Sequence, residues 1–142
     1  MDNKFLNTVR ILFIGIFLAP LMFLGVILFT QSGQEKPLTV ANDPFFFIVV
    51  IMSVGAIIAS TMLYKKRLPA IQEMTDTAAK LNAWKSLLII KLAIIEGVTL
   101  FAVVVLQIQL ANIYLFIALA LSAYQLTNIP TEEKIKTDCN LQ

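Results

Sequence analysis

Between Ser86 and Leu106 the chain passes through 21 residues with only two charged side chains, Lys91 and Glu96. A bilayer's hydrocarbon core is about 30 Å thick and takes about 20 helical residues to cross. Glu96 lies ten residues into the run, which is about 15 Å along a helix axis and near the middle of such a core. A charged carboxylate at that depth costs at least ~2.5–3.5 kcal/mol on insertion scales, so it needs a partner or a cavity. A soluble fold would need a polar exterior around this run, and the chain lacks one. Hydrophobic residues make up 58% of it and charged residues 14%, against about 25% charged in a soluble domain.

Four apolar runs follow one another within a single domain, at about 5–29, 44–64, 86–107 and 113–129. The first three have the length of a spanning helix, and the fourth, near 17 residues, is short for one. In lipid every backbone polar group must be satisfied internally, and no alternating strand pattern is present, so the expected fold is all-α. The expected architecture is a four-helix transmembrane bundle. The first run is too long for a signal peptide's apolar core and no small-x-small cleavage pattern follows it. Pro20 is expected to kink it.

The connections carry ordinary punctuation. Residues 31–37 (Gln-Ser-Gly-Gln-Glu-Lys-Pro) read as a loop, and Asp43-Pro44 as an N-cap and first helical residue. Lys65-Lys66-Arg67-Leu68-Pro69 is expected to close the second helix. From there to Lys85 the spacing of Ile71, Met74, Ala78, Leu81 and Trp84 predicts a short amphipathic connector on the membrane surface, or an extension of the third helix. Trp84 would then sit among the headgroups. Lys4, Arg10, the basic residues of 65–85, Lys134 and Lys136 all fall on one side of the predicted bundle. By the positive-inside rule that side is cytoplasmic and holds both termini, including a tail at 130–142. Cys139 reads as a free thiol on that tail.

The residue types restrict the chemistry. Histidine is absent and cysteine occurs once, so triads, His-based zinc or haem sites and disulfide frameworks are excluded. The five glycines are isolated, so no phosphate-cradling loop is formed. A net charge of +2 does not call for nucleic acid. The expectation is a non-enzyme without cofactor or metal, whose partners are the lipid bilayer and either further copies of itself or a larger membrane complex.

Glu96 therefore attracts the functional reading. Thr99, Val103 and Gln107 share its helical face, so Glu96, Thr99 and Gln107 form a weakly polar stripe and a candidate ion-binding set. Hydrocarbon disfavours the charged carboxylate, which makes this a protonatable group. Ser53, Ser60, Thr61, Ser122, Tyr124 and Gln125 are its candidate interhelical partners. Lys91, a secondary candidate, is rotated about 140° from Glu96 and is expected to snorkel to the headgroups. Gly15/Ala19, Gly55/Ala59, Ala56/Ser60 and Ala118/Ser122 are small pairs four apart that permit close helix contacts.

Two resemblances add to this. The stretch Ala93-Ile-Ile-Glu96-Gly-Val-Thr-Leu-Phe101-Ala-Val-Val-Val resembles the proton-carrying helix of rotary ATPase proteolipid c-subunits. That likeness implies that Glu96 is an ion-binding carboxylate. The family's glycine-repeat first helix and Arg-Gln-Pro loop are not found in this chain. Leu88-Ile-Ile-Lys-Leu-Ala-Ile-Ile-Glu-Gly, with the tail Pro130-Thr-Glu-Glu-Lys-Ile-Lys-Thr-Asp, is similar to small four-helix membrane proteins of Bacteroidota that have no assigned activity. It implies a bacterial inner-membrane location. Together the expectations describe a small oligomeric membrane protein that handles protons or cations through Glu96, or an accessory subunit in which Glu96 makes a packing hydrogen bond.

Overall fold

The computed structural model describes residues 3–39 and 43–141, leaving Gln142 of the predicted tail outside the described residues. Within them the chain forms helices α1 (Asn3–Thr30), α2 (Pro44–Gln72), α3 (Thr77–Gln109), α4 (Asn112–Leu126) and α5 (Glu132–Cys139). Helices α1, α2 and α3 are long and apolar enough to cross a membrane. Large apolar side chains such as Ile11, Met22, Phe29, Phe47, Ile51 and Met62 point outward from α1 and α2. In water such a surface would be untenable, whereas lipid solvates it.

Helix α4 has 15 residues, about 22 Å of helix, and falls short of the roughly 30 Å core. Its first-turn donors are satisfied from elsewhere in the chain. Ala111, at its N-cap, offers no side-chain acceptor. Instead Asn112 N and Ile113 N donate to the Pro37 and Leu38 carbonyls, each at 2.9 Å. Tyr114 Oη donates to the Asp43 carboxylate, so this end of α4 is tied to the α1–α2 loop and the start of α2. Helix α3 ends with Leu110 at φ 54°, a left-handed conformation that costs a non-glycine residue about 1–2 kcal/mol and turns the chain sharply into α4.

Helix α3 is the centre of the fold, and α1, α2 and α4 pack mainly on it rather than on each other. The first four helices alternate in direction, which gathers the start of α1, the end of α2, the start of α3 and α5 at one end. Leu6, Tyr64, Trp84 and Ile135 form a common core there, and Arg10 Nε donates to the Pro130 carbonyl at 3.4 Å. The basic segments are therefore collected at this end, as the charge pattern implied.

Helix α1 is helical on both sides of the buried Pro20. Several local expectations change. Helix α2 continues past Pro69 to Gln72, with Glu73 N donating to the Pro69 carbonyl at 3.1 Å. A proline one turn from a helix end removes a single ladder bond, which the packing of Ile71 offsets. Of the two expectations for the 65–85 connector, the structure has the extension of the third helix and not a separate surface helix: residues 77–85 are the first turns of α3. Only residues 73–76 link α2 to α3, because Asp76 caps the next helix by accepting from Ala78 N (3.0 Å) and Ala79 N (3.3 Å). The tail is also ordered. Thr131 caps α5 by accepting from Lys134 N at 3.2 Å, and Ile135 and Cys139, one turn apart, are both fully buried.

Of the small pairs, Ala56/Ser60 and Ala118/Ser122 face the interior, whereas Gly15/Ala19 and Gly55/Ala59 lie on the outer surface. A Cβ built on Gly15 or Gly55 meets nothing within 4 Å, so these glycines do not serve a close contact within the chain.

Candidate functional site

Glu96 lies midway along α3 at the rim of the bundle and is half-buried. Its neighbours Ala93 and Gly97 are exposed, while Leu92, Ile95 and Thr99 turn inward. The carboxyl therefore borders the outward stripe of α3 that includes Ile90 and Val104. It has no hydrogen bond or ion pair with the described residues.

The predicted polar stripe is not drawn together. Thr99 is buried, and its hydroxyl donates to the Ile95 carbonyl at 2.9 Å. Gln107 is exposed at the far end of α3, where its backbone carbonyl accepts from Gln31 Nε2 at 3.4 Å. Val103, between them on the same face, is fully buried against the neighbouring helices. None of the candidate partners is hydrogen-bonded to Glu96. Ser53 donates to the Val49 carbonyl, Ser60 to the Ile57 carbonyl, and Thr61 pairs with Tyr124 Oη. Gln125 Nε2 donates to the Leu92 carbonyl at 3.4 Å. Ser122 Oγ is buried without a hydrogen bond to the described residues.

A denser polar cluster occupies the basic end, and sequence reasoning missed it. Trp84 is fully buried among α1, α2 and α5 and has no exposed surface; its Nε1 donates to Tyr64 Oη at 2.9 Å and to Asp138 Oδ2 at 3.0 Å. Tyr64 Oη in turn donates to the same Asp138 oxygen. Gln72 Nε2 reaches the Asp138 carbonyl at 3.1 Å, and Lys80 Nζ donates to the Gln72 carbonyl at 3.0 Å. This network fastens α5 to α2 and α3.

Lys91 joins the cluster instead of snorkelling. It is 9% exposed, its Nζ donates to Asn128 Oδ1 at 2.6 Å, and it sits 4.8 Å from the centre of the Tyr64 ring. Both contacts stabilise an ammonium removed from solvent. Asn128, two residues past the end of α4, supplies the acceptor and holds the ammonium inside the protein. The signal for α5 was in the tail: a Thr cap, two acids in the first turn, and an apolar pair four apart.

The α5 thiol is chemically quiet. Burial, then the neighbouring Asp138 carboxylate, raises Cys139 from the ordinary 9.0 to about 11. Below pH 9 the thiol is neutral in both folded and unfolded chains. As pH rises from 9 towards 11 only the unfolded thiol ionises, so the stability contributed by the neutral buried thiol declines across that window. At pH 8 the expected alkylation rate is about a hundredfold below that of an ordinary cysteine. Asp138→Asn, by weakening the dock of α5, should accelerate labelling. Iodoacetamide labelling followed by mass spectrometry measures both rates, and ordinary reactivity in the native chain would contradict this arrangement.

Among the described residues no group of three or more Cys, Asp or Glu side chains is placed to hold a metal ion. No family model matches the chain, and neither a curated protein nor a solved structure matches it.

Proposed function

We propose that this chain is a small integral protein of a bacterial inner membrane that works as an oligomer and uses Glu96 at the seam between subunits to handle protons or cations. In this reading α4 completes a four-helix bundle across a locally thinned bilayer, and the basic end with both termini faces the cytoplasm. One observation carries the proposal. The Glu96 carboxyl lies in the middle of the most central apolar helix, at the rim, with no partner among the described residues. An intramembrane carboxyl in that position is costly when left alone. A second chain, or an ion held between chains, supplies what this chain does not. The outward Gly15/Ala19 and Gly55/Ala59 pairs support close approach by another copy. The resemblance of residues 93–105 to proton-carrying proteolipid helices points the same way.

An accessory-subunit reading places a helix of another protein against the small exposed Ala93 and Gly97 beside Glu96. The carboxyl then makes a packing hydrogen bond. Substitution separates the two. Under the proton-handling reading Glu96→Gln abolishes a pH-gradient-driven flux in proteoliposomes while the oligomer persists in mild detergent. Under the accessory reading Glu96→Gln is silent and Glu96→Ala disperses the complex. A monomeric wild type that carries no flux and forms no complex contradicts both.

A further inference from the structure

A groove of about 510 Å³ lies between the basic end of α2 and the facing turns of α3. Its walls are mainly apolar, with Leu63, Ile71, Met74, Leu87 and Ile90 contributing, and Arg67 is its one charged lining residue. The level of the groove follows from the helix that bears it. From Pro44 to Tyr64, α2 is apolar for 21 residues, about 31 Å, which matches the roughly 30 Å hydrocarbon core. The next turn is Lys65-Lys66-Arg67, so the guanidinium falls at headgroup depth. Arg67 is exposed and makes no hydrogen bond or ion pair with the described residues. On the membrane side the groove runs on to Ile90, which is 48% exposed and faces where acyl chains lie.

We propose that this groove holds one anionic phospholipid from the surrounding bilayer. Its phosphate engages Arg67, and an acyl chain lies along Leu63, Leu87 and Ile90. The planar guanidinium offers paired donors that match phosphate oxygens. The apolar walls offer nothing to a free anion, and the lone cation offers nothing to a purely apolar guest. An acidic amphiphile satisfies both, and the exposed Lys65 and Lys66 add long-range attraction for its charge. The site is independent of Glu96, which lies deeper in the span.

The test uses the full chain reconstituted in vesicles of equal parts phosphatidylglycerol and phosphatidylcholine, then extracted in mild detergent for lipid counting by native mass spectrometry. Wild type should retain phosphatidylglycerol in preference to phosphatidylcholine. Arg67→Gln should lower that retention about tenfold or more, the weight of a charge-assisted hydrogen bond to phosphate. Lys66→Gln, whose side chain does not line the groove, should lower it by no more than the few-fold that one surface charge supplies, and Ala70→Trp, which fills the groove, should lose it with helix content unchanged. Equal losses in Arg67→Gln and Lys66→Gln would overturn the proposal in favour of diffuse surface attraction. Equal retention of phosphatidylcholine, displacement by inorganic phosphate alone, or a changed oligomeric state in Ala70→Trp with lipid retention intact would each overturn it too.

Discussion

Trp84→Ala should destabilise the chain by about 3–5 kcal/mol, the usual range for truncating a fully buried tryptophan. Trp84 has no exposed surface and sits in the core that joins α1, α2, α3 and α5. Truncation removes the ring contacts and leaves a cavity that helices anchored elsewhere cannot close. It also withdraws the indole N–H from Tyr64 and Asp138, leaving the carboxylate with fewer donors. Trp84→Phe separates these effects. It keeps most of the ring volume and loses the donor, at about 1–2 kcal/mol. Equilibrium unfolding in mixed micelles, followed by circular dichroism, measures both variants. A loss below about 1 kcal/mol for the alanine variant would show that the cluster does not hold this end together. Undocking of α5 should accompany the larger loss and be visible as faster alkylation of Cys139.

Much of the architecture follows from run length alone. Helices α1, α2 and α3 announce themselves because lipid leaves a twenty-residue apolar run few alternatives to a helix. Local breakers were harder to weigh. Pro69 reads as a stop in isolation, but one missing backbone bond near a helix end is small beside the packing of Ile71 and its neighbours. Amphipathic spacing from Ile71 to Trp84 is only partly used: Ile71, Leu81 and Trp84 pack into the core at the α2–α3 hairpin, whereas Met74 and Ala78 stay exposed. Periodicity identifies a buried face without saying what buries it.

The candidate site was legible in part. Depth and composition identified Glu96 as an anomaly, and it does sit mid-helix in α3. The helical projection groups it with Thr99, which is buried and donates to the Ile95 carbonyl, and with Gln107, which is exposed near the end of α3. A projection of one helix treats a face as uniform along its length, but α3 meets different neighbours at different levels: Val103 is enclosed and Gln107 is not. The Tyr64–Trp84–Asp138 network joins residues from three helices. No single-segment pattern encodes such a contact, so it became visible only with the tertiary structure.

The buried ammonium of Lys91 provides the second large effect. Asn128→Leu should cost about 1.5–3 kcal/mol, the value of a hydrogen bond to a charged group, because Lys91 Nζ loses its acceptor at 2.6 Å and retains the Tyr64 ring and the attraction of the Asp138 carboxylate. Lys91→Met should cost less, about 1 kcal/mol. It removes the charge and leaves one amide oxygen unpaired, while Asn128 Nδ2 still donates to the Tyr124 carbonyl at 3.3 Å. The double variant Lys91→Met/Asn128→Leu removes donor and acceptor together and fills the space with apolar atoms. Its stability should return to within about 1 kcal/mol of wild type, since a buried polar pair replaced as a pair is often neutral. Such non-additivity identifies a direct coupling, and unfolding in mixed micelles reads all three variants. Strict additivity would mean that the ammonium finds other partners and that Asn128 acts only through the helix end. The same series bears on mechanism. If Lys91 serves architecture alone, the double variant should keep any flux that depends on Glu96, whereas loss of flux in a stably folded double variant would draw the basic-end cluster into the transport path.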